Sequence, residues 1–508
     1  MPILPSIITR LNSKRMKQID LFRSHPFEVQ QEVLMRLLQK AKGTAWGQKH
    51  DFASINDVTI FQERLPVQTY DDLKPIIQRL RDGEKNILWP GEIKWFAKSS
   101  GTTSDKSKFI PVTSEALEEC HFRGGKDVLV LYSANFPDTK IFRGKGLTLG
   151  GSTQINNFSN ASFYGDLSAI LLENIPLWVD LIRTPSRKIA LIEEWEEKLD
   201  EITKATVKEN VTNIAGVPSW NLVLLKHILN VTGKKHLLEI WPNLELFTHG
   251  GVSFVPYREQ FRKIIPSDEM NYMEVYNASE GFFSIQDDPV SDDMLLMLDY
   301  GIFYEFIPLE EIDTDNPAVL PIADIEKDRN YAIVISTNGG LWRYMIGDTV
   351  TFTSLFPHKI KITGRTKHFI NAFGEEIIID NATLALQKAC KNTGAVINEY
   401  TAGPIYMMDD QKGSHEWLIE FETLPADLEL FTNELDQALM SINSDYEAKR
   451  YKNITLDKPV VLSMKPGVFY QWFRENNKLG GQNKVPRLAN DRQYLDEVKK
   501  INDTMTFS

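Results

Sequence analysis

Residues 91–113 read GEIKWFA-KSSGTTSDKSK-FIPVT, a polar run set between two short apolar stretches. The flanks GEIKWFA and KFIPVT have strand character, so the polar run predicts a loop joining two short strands. Ser99, Ser100, Thr102, Thr103 and Ser104 surround a single glycine, Gly101, with Lys98, Lys106 and Lys108 close by. Backbone N–H groups and hydroxyls in such a loop can wrap phosphate oxygens, and the lysines supply charge. It is not a Walker A loop, because Asp105 stands where that motif requires a second glycine. Composition alone also allows a plain flexible polar loop.

Upstream, residues 27–42 predict an amphipathic helix, followed by shorter helices to about residue 88. Downstream, Ile189, Ile192, Trp195, Leu199 and Ile202 recur every three or four residues, which predicts one long helix with Trp195 on its core stripe. NLELF, NYMEVY, MLLMLDY and IFYEFIP, between 243 and 308, read as strands broken by Gly, Pro and Asp. YAIVISTNGGLWRYMIGDTVTF predicts a hairpin with its tight turn at Asn338-Gly339. Beyond residue 365 the pattern becomes helix (380–391), two strands (397–408 and 416–422), then a helix with Leu428, Phe431, Leu435, Leu439 and Ile442 on one face. The expected fold is α/β: a large N-terminal domain of mixed sheets and helices, 1–365, and a small, mobile α+β C-terminal domain, 366–508.

The chain has 508 residues, 42% hydrophobic and 25% charged, enough to bury a large core. No run approaches the roughly 20 apolar residues of a membrane span, and the N-terminus does not read as a secretory signal. Two distant cysteines, Cys120 and Cys390, suit free thiols in a reducing cytoplasm. A net charge of −12 argues against a nucleic-acid partner. An anionic substrate would instead need local cations, available at Lys98/Lys106/Lys108, Arg343/Arg365/Lys367 and Lys484/Arg487. Taken singly, each of these clusters also reads as solvated surface charge.

Further segments appear in a telling order. SSGTT followed by KSKFIPVT resembles the phosphate loop of adenylate-forming enzymes, in the form found in the GH3 acyl-acid amido synthetases. Tyr276-Asn277-Ala278-Ser279-Glu280-Gly281 resembles that family's YxxSEG segment, and Arg343-Tyr344-Met345-Ile346-Gly347-Asp348 its RYxxGD segment. Gly364-Arg365-Thr366-Lys367 resembles GRxK, and Gly481-Gln482-Asn483-Lys484-Val485-Pro486-Arg487 resembles GQxKxPR. TAWGQKHDF, LPVQTYDDLKP and GEKNILWPGEI extend the resemblance over nearly the whole chain. Asp105 and Asn483 depart from the family pattern, where glycine and tyrosine are common.

The resemblance implies ATP and Mg²⁺ as cofactors, and an acid activated as its acyl-AMP before an amine, an amino acid in this family, displaces AMP. It implies that Ser99, Ser100, Gly101, Thr102, Thr103 and Lys108 hold the β- and γ-phosphates. Glu280 would bind Mg²⁺, for which a hard carboxylate oxygen is suited. Asp348 would accept hydrogen bonds from the ribose hydroxyls, assisted by Arg365. Tyr276 and Ser279 belong to the same nucleotide segment, Tyr276 against the adenine, where Gly250 and Gly251 would let backbone approach the base. Lys484 would be the catalytic cation between α-phosphate and carboxylate, and Lys367 the hinge. Phe163, Tyr164, Val217 and Trp220 are candidates for the acyl pocket and equally suit ordinary core packing. Two alternatives remain open: an acyl-CoA ligase sharing the first half-reaction, and a non-catalytic, nucleotide-responsive acyl-binding protein.

Overall fold

The computed structural model describes residues 3–100, 107–149, 156–158, 162–192, 194–312, 314–366, 369–408, 411–451, 456–476 and 485–505. Helices Ile3–Ser24 and Pro26–Ala41 open the chain, followed by Ala45–Lys49, Val58–Arg64 and Tyr70–Arg81. Val33, Leu34, Leu37 and Leu38 are buried on one face of the second helix, as their spacing predicts. Gln30, buried among them, donates from Nε2 to Leu298 O (2.8 Å) and Ile302 O (2.9 Å) and accepts from the Tyr304 N–H (2.9 Å). With these bonds made, a buried amide costs little and pins the helix to the sheet.

Among the described residues the main sheet has twelve strands of two characters. One half is antiparallel: Leu320–Pro321, Ile302–Pro308, Asn330–Thr337, Tyr344–Leu355, His358–Arg365, Met294–Leu296, Gly281–Ile285 and Asn271–Ala278 are neighbours in that order. From Asn271–Ala278 onward the pairing is parallel, through Leu246–His249, Val211–Gly216, Lys145–Thr148 and Arg183–Thr184. Ile302–Pro308 is buried along its whole length, which is why IFYEFIP is apolar without alternation. A second sheet pairs Ser107–Val112 with Trp95–Ser100, then Phe163–Gly165 and Asn156–Asn157. The phosphate-loop candidate therefore closes a hairpin in which Ser99 lies opposite Lys108.

One local expectation is corrected. The stripe Ile189–Ile202 is carried by two helices, Arg187–Ala190 and Trp195–Thr206, not one. Glu194 is extended at the join, and Glu196 and Glu197 fall in the first turn of the second helix, where the helix dipole favours negative charge. The Trp195 side chain lies outside the described residues. The hairpin of Asn330–Thr337 and Tyr344–Leu355 forms, but its connection runs from 338 to 343 and places positive φ at Gly340 and Arg343. Asn338 is tied elsewhere: its N–H donates to Gly301 O (2.9 Å) and its carbonyl accepts from Thr113 Oγ1 (2.7 Å). The turn still falls at Asn338-Gly339, closed by the Gly340 N–H donating to Thr337 O (3.0 Å), with the positive φ at Gly340 rather than at its two central residues.

The last strand of the main sheet along the chain ends at Arg365, and Phe369–Ile370 pairs with Ile377–Ile378 in a separate ribbon. Helix Ile379–Thr393 then precedes strands Val396–Ile405 and Ser414–Thr423, with Val460–Met464 parallel to the latter. Phe431, Leu435 and Leu439 of helix Leu428–Ile442 are buried, as their spacing predicts. Phe247, Phe254 and Phe261 share one apolar cluster with Ile370, Phe373 and Ile377, and Tyr257 Oη donates to Ala372 O (2.7 Å). These contacts seat the C-terminal residues on the parallel half. Cys120 and Cys390 are free thiols. Among the described residues no helix is long and apolar enough to cross a membrane.

Candidate active site

Parallel strands point their carboxyl ends the same way, and the loops beyond those ends are where open α/β sheets build sites. Lys145–Thr148, Val211–Gly216 and Leu246–His249 end together, and Leu149, Val217, Gly250 and Gly251 beyond them line a cleft of about 1580 Å³. Gly251 has φ +83°, a conformation few side chains adopt, while a Cβ at Gly250 would lie 2.3 Å from Val275 O. Gly250 is therefore required by the neighbouring strand itself.

The antiparallel half supplies the charged wall of the cleft. Asp348 and Arg365 are directly paired across two strands. Arg365 Nε donates to Asp348 Oδ1 (2.7 Å), and Tyr276 Oη, 72 residues away in sequence, donates to Asp348 Oδ2 (2.6 Å). Two donors thus fix an almost buried carboxylate whose remaining acceptor capacity faces the cleft. Burial and the Asp348 charge hold the Tyr276 phenol protonated, well above its ordinary range. The sequence reading missed this use of Tyr276; its ring packs on Phe283 at 4.7 Å.

Ser279 and Glu280 form the tight turn between Asn271–Ala278 and Gly281–Ile285, because Gly281 pairs with Ala278. Both reach the cleft. The Glu280 carboxyl is pushed up to about 7 by burial, raised further by Asp348 and Glu376 and pulled down by Lys108. Among the described residues no cluster of three or more His, Cys, Asp or Glu could hold a metal by itself. One carboxylate with surplus negative charge around it does suit Mg²⁺, which takes one or two carboxylates and completes its shell with phosphate oxygens and water.

Ser99 and Lys108 line the cleft. Gly101, Thr102, Thr103, Lys367 and Lys484 lie outside the described residues, as does the side chain of Ser100. Val217 and Trp220 line the cleft, whereas Phe163 and Tyr164 pack within the small sheet, Phe163 against Trp95 (5.1 Å) and Tyr164 stacked on Phe158 (4.1 Å). Arg343 is not a substrate cation: it is buried and paired with buried Glu305 (3.0 Å), and donates to the carbonyls of Gln62 and Leu65. Arg487 pairs with Glu399 (3.3 Å).

Several site residues have no plain signal in the sequence. Helix Ser444–Arg450 is brought against the phosphate-loop hairpin, with Ser107 Oγ donating to Ser444 Oγ (3.0 Å). Asn443 caps that helix through Asp445 N–H (2.9 Å) and Tyr446 N–H (2.8 Å), a start that is locally readable although its destination is not. A side pocket of about 160 Å³ results, lined by Lys98, Asp166, Gly374, Ser444, Asp445 and Lys449. Burial pushes the Asp445 carboxyl up to about 7, against the pull of Lys449. Glu376 joins the same wall at φ +40°, and Arg365 Nη1 is 3.4 Å from its carboxylate. His121 ends the widened helical turn Ala116–His121, in which the Phe122 N–H reaches Leu117 O, and burial lowers its pKa to about 4.

Comparison with known proteins adds to this geometry. The GH3 family N-terminal, central and C-terminal domain models match residues 15–270, 295–365 and 380–493. The indole-3-acetic acid-amido synthetase GH3.3 of Arabidopsis thaliana is 24% identical over 90% of this chain and 89% of its own length. The jasmonoyl–L-amino acid synthetase JAR4 of Nicotiana attenuata is 25% identical over 64% of this chain and 66% of its own. Among solved structures, the AtGH3.15 acyl acid amido synthetase in complex with 2,4-DB superimposes with a TM-score of 0.63 at 16% identity, covering 96% of both chains. A 2-hydroxyisobutyryl-CoA ligase with 2-HIB-AMP and CoA does so at 0.57 and 12% identity, over 95% of this chain and 94% of that one.

Proposed function

The chain belongs to the GH3 family, and from that premise we propose that it is an ATP-dependent acid–amino acid ligase working in two steps. An oxygen of the substrate carboxylate attacks the α-phosphorus of ATP and pyrophosphate leaves; the amine of an amino acid then attacks the acyl carbon and AMP leaves. The observation that carries this reading is the Tyr276–Asp348–Arg365 cluster, a fixed carboxylate of the kind that accepts two ribose hydroxyls, lining a cleft that also presents the apolar side chains of Leu167, Leu171 and Val179.

In this reading Ser99, Ser100, Gly101, Thr102, Thr103 and Lys108 hold the β- and γ-phosphates, and Tyr276, Ser279, Gly250 and Gly251 bound the adenosine. Glu280 would hold Mg²⁺, which when bound neutralises the leaving pyrophosphate. Lys484 stabilises the charge that gathers between carboxylate and α-phosphate, and Lys367 is the hinge between the parts 1–365 and 366–508. The acyl group lies along Val217, Trp220 and the apolar wall of Leu167, Leu171 and Val179. The side pocket takes the acceptor: its lysines suit the carboxylate of a zwitterion, and Asp445, poised near neutrality, suits removing the ammonium proton before attack. Two free thiols fit a cytoplasmic setting.

Acid-dependent pyrophosphate release across a panel of carboxylic acids, with products identified by mass spectrometry in the presence of amino acids or of CoA, tests the reading. Amide products support it. Thioesters alone would make the protein an acyl-CoA ligase, and binding of nucleotide and acid without pyrophosphate release would make it a binding protein.

A further inference from the structure

The far end of the cleft holds a cation for which the two-step reaction has no use. Arg183 lies on the edge strand Arg183–Thr184 in register with Gly146, and Gly146 is in register with Asn213. Residues in register share a face of the sheet, so these three form one row; Thr148, Ala215 and Thr248 form the next row toward the strand ends. All six line the cleft. With no side chain at Gly146, where a Cβ would meet Asn213 Oδ1 at 2.7 Å, the sheet floor beside Arg183 stays open. Val179, Ile182, Leu171 and Leu172 bound the same compartment.

The Arg183 side chain is 5% exposed, and its Nη1 donates to Asp180 Oδ1 at 2.8 Å. Nε and Nη2 are buried and, among the described residues, have no hydrogen-bond partner. These two groups share one edge of the guanidinium, the edge that grips both oxygens of a carboxylate. Asp180 does not cancel the charge there, because Arg187 Nη2 lies 3.7 Å from its other oxygen, leaving two cations to one carboxylate. Burial depresses the Arg183 pKa, the mark of a cation short of compensation. Buried donors left unpaired are costly, and such a cost persists where a ligand completes the set.

The geometry points to an acid that carries a second anionic group: the substrate is a dicarboxylic acid or a close equivalent, held at its remote end by the Nε/Nη2 edge of Arg183. This rests on the reading that the acyl group occupies the apolar compartment. From Asn213 to Val217 the strand advances four residues, roughly 13 Å at about 3.3 Å per residue, a distance shared between the arginine side chain and a carbon chain of middle length. Arg183 is then a specificity-determining residue rather than a catalytic one.

The test compares hexanedioic, octanedioic and decanedioic acids with the monocarboxylic acids of the same lengths, measuring pyrophosphate release by wild type, Arg183→Met and Arg183→Lys. At the best length the wild-type kcat/KM should favour the diacid by at least about 10²-fold, since a site built to bind a polar group rejects analogues that lack it. In Arg183→Met that ratio should fall to about 1, and Arg183→Lys, which keeps charge without the two-pronged edge, should lie between. A wild-type ratio near 1 at every length overturns the proposal and needs no variant. A preference that survives Arg183→Met in folded protein also overturns it. If no acid of either kind releases pyrophosphate, the ligase reading fails separately, and calorimetric binding of octanedioate then decides: affinity at least tenfold weaker in Arg183→Met upholds the arginine site, and equal affinity sinks it.

Discussion

Replacing Glu280 by glutamine keeps the shape of the turn side chain and removes its charge. In the ligand-free protein the Glu280 carboxyl stands at about 7 against an ordinary 4.5, chiefly because of burial. A group whose folded pKa is raised contributes stability that is fully present below its unfolded pKa and is lost as pH rises through the folded one. At roughly 1.4 kcal/mol per pH unit, wild type should therefore lose up to about 3 kcal/mol between pH 4.5 and pH 8 that Glu280→Gln does not lose. Asp445, raised to about 7 as well, adds its own slope to both proteins and cancels in the comparison. Urea unfolding midpoints at pH 5, 6, 7 and 8 measure the difference. Glu280→Gln should match wild type at pH 5 and exceed it at pH 8. Adding ATP with Mg²⁺ at pH 8 should reverse that order, because only the ionised carboxylate binds the metal. A difference that stays flat with pH, or wild type gaining on the variant as pH rises, would refute both the environment assigned to Glu280 and its metal role.

Lys484→Ala should slow pyrophosphate release about 10²–10³-fold while ATP affinity, measured by calorimetry, changes much less, as expected for a cation acting on the transition state. Asp348→Asn should raise the KM for ATP more than it lowers kcat, because a ribose contact persists from ground state to transition state; the steady-state split checks it. Arg343→Met should cost about 3–5 kcal/mol in urea unfolding by stranding buried Glu305, and adding Glu305→Gln should recover part of the loss.

Helices were legible where one face is apolar, although the stripe Ile189–Ile202 runs over two helices rather than one. Leu37 and Leu38, or Phe431, Leu435 and Leu439, repeat with the pitch of the backbone, and that repeat is a local property any window of sequence displays. Most strands of the antiparallel half were legible as apolar runs, and the polar loop between two short strands was legible from its hydroxyls and glycine, whereas the short or polar strands Lys145–Thr148, Arg183–Thr184 and Val211–Gly216 of the parallel half were not. Asn338-Gly339 marked its turn correctly, and the closing bond from Gly340 to Thr337 forms, while the bonds that anchor it to Gly301 and Thr113 are with partners no window of sequence displays.

From the sequence alone one could determine the fold class, many of the elements and which residue types stand ready for phosphate, ribose and metal. Only the tertiary structure decided which of those charges meet. Arg343 and Arg365 are 22 residues apart and equally cationic in sequence, but one is walled in beside Glu305 and the other opens onto the cleft beside Asp348. Tyr276 and Asp348 meet across 72 positions, and Asp445 and Glu376 arrive from the C-terminal residues to complete the wall around Glu280 and Lys98. The strand register sets Gly146 beside Arg183, whose Nε and Nη2 have no partner among the described residues. The physical reason is that periodicity belongs to the backbone and travels with the sequence, whereas desolvation and charge pairing depend on everything packed within a few ångströms, most of it remote along the chain.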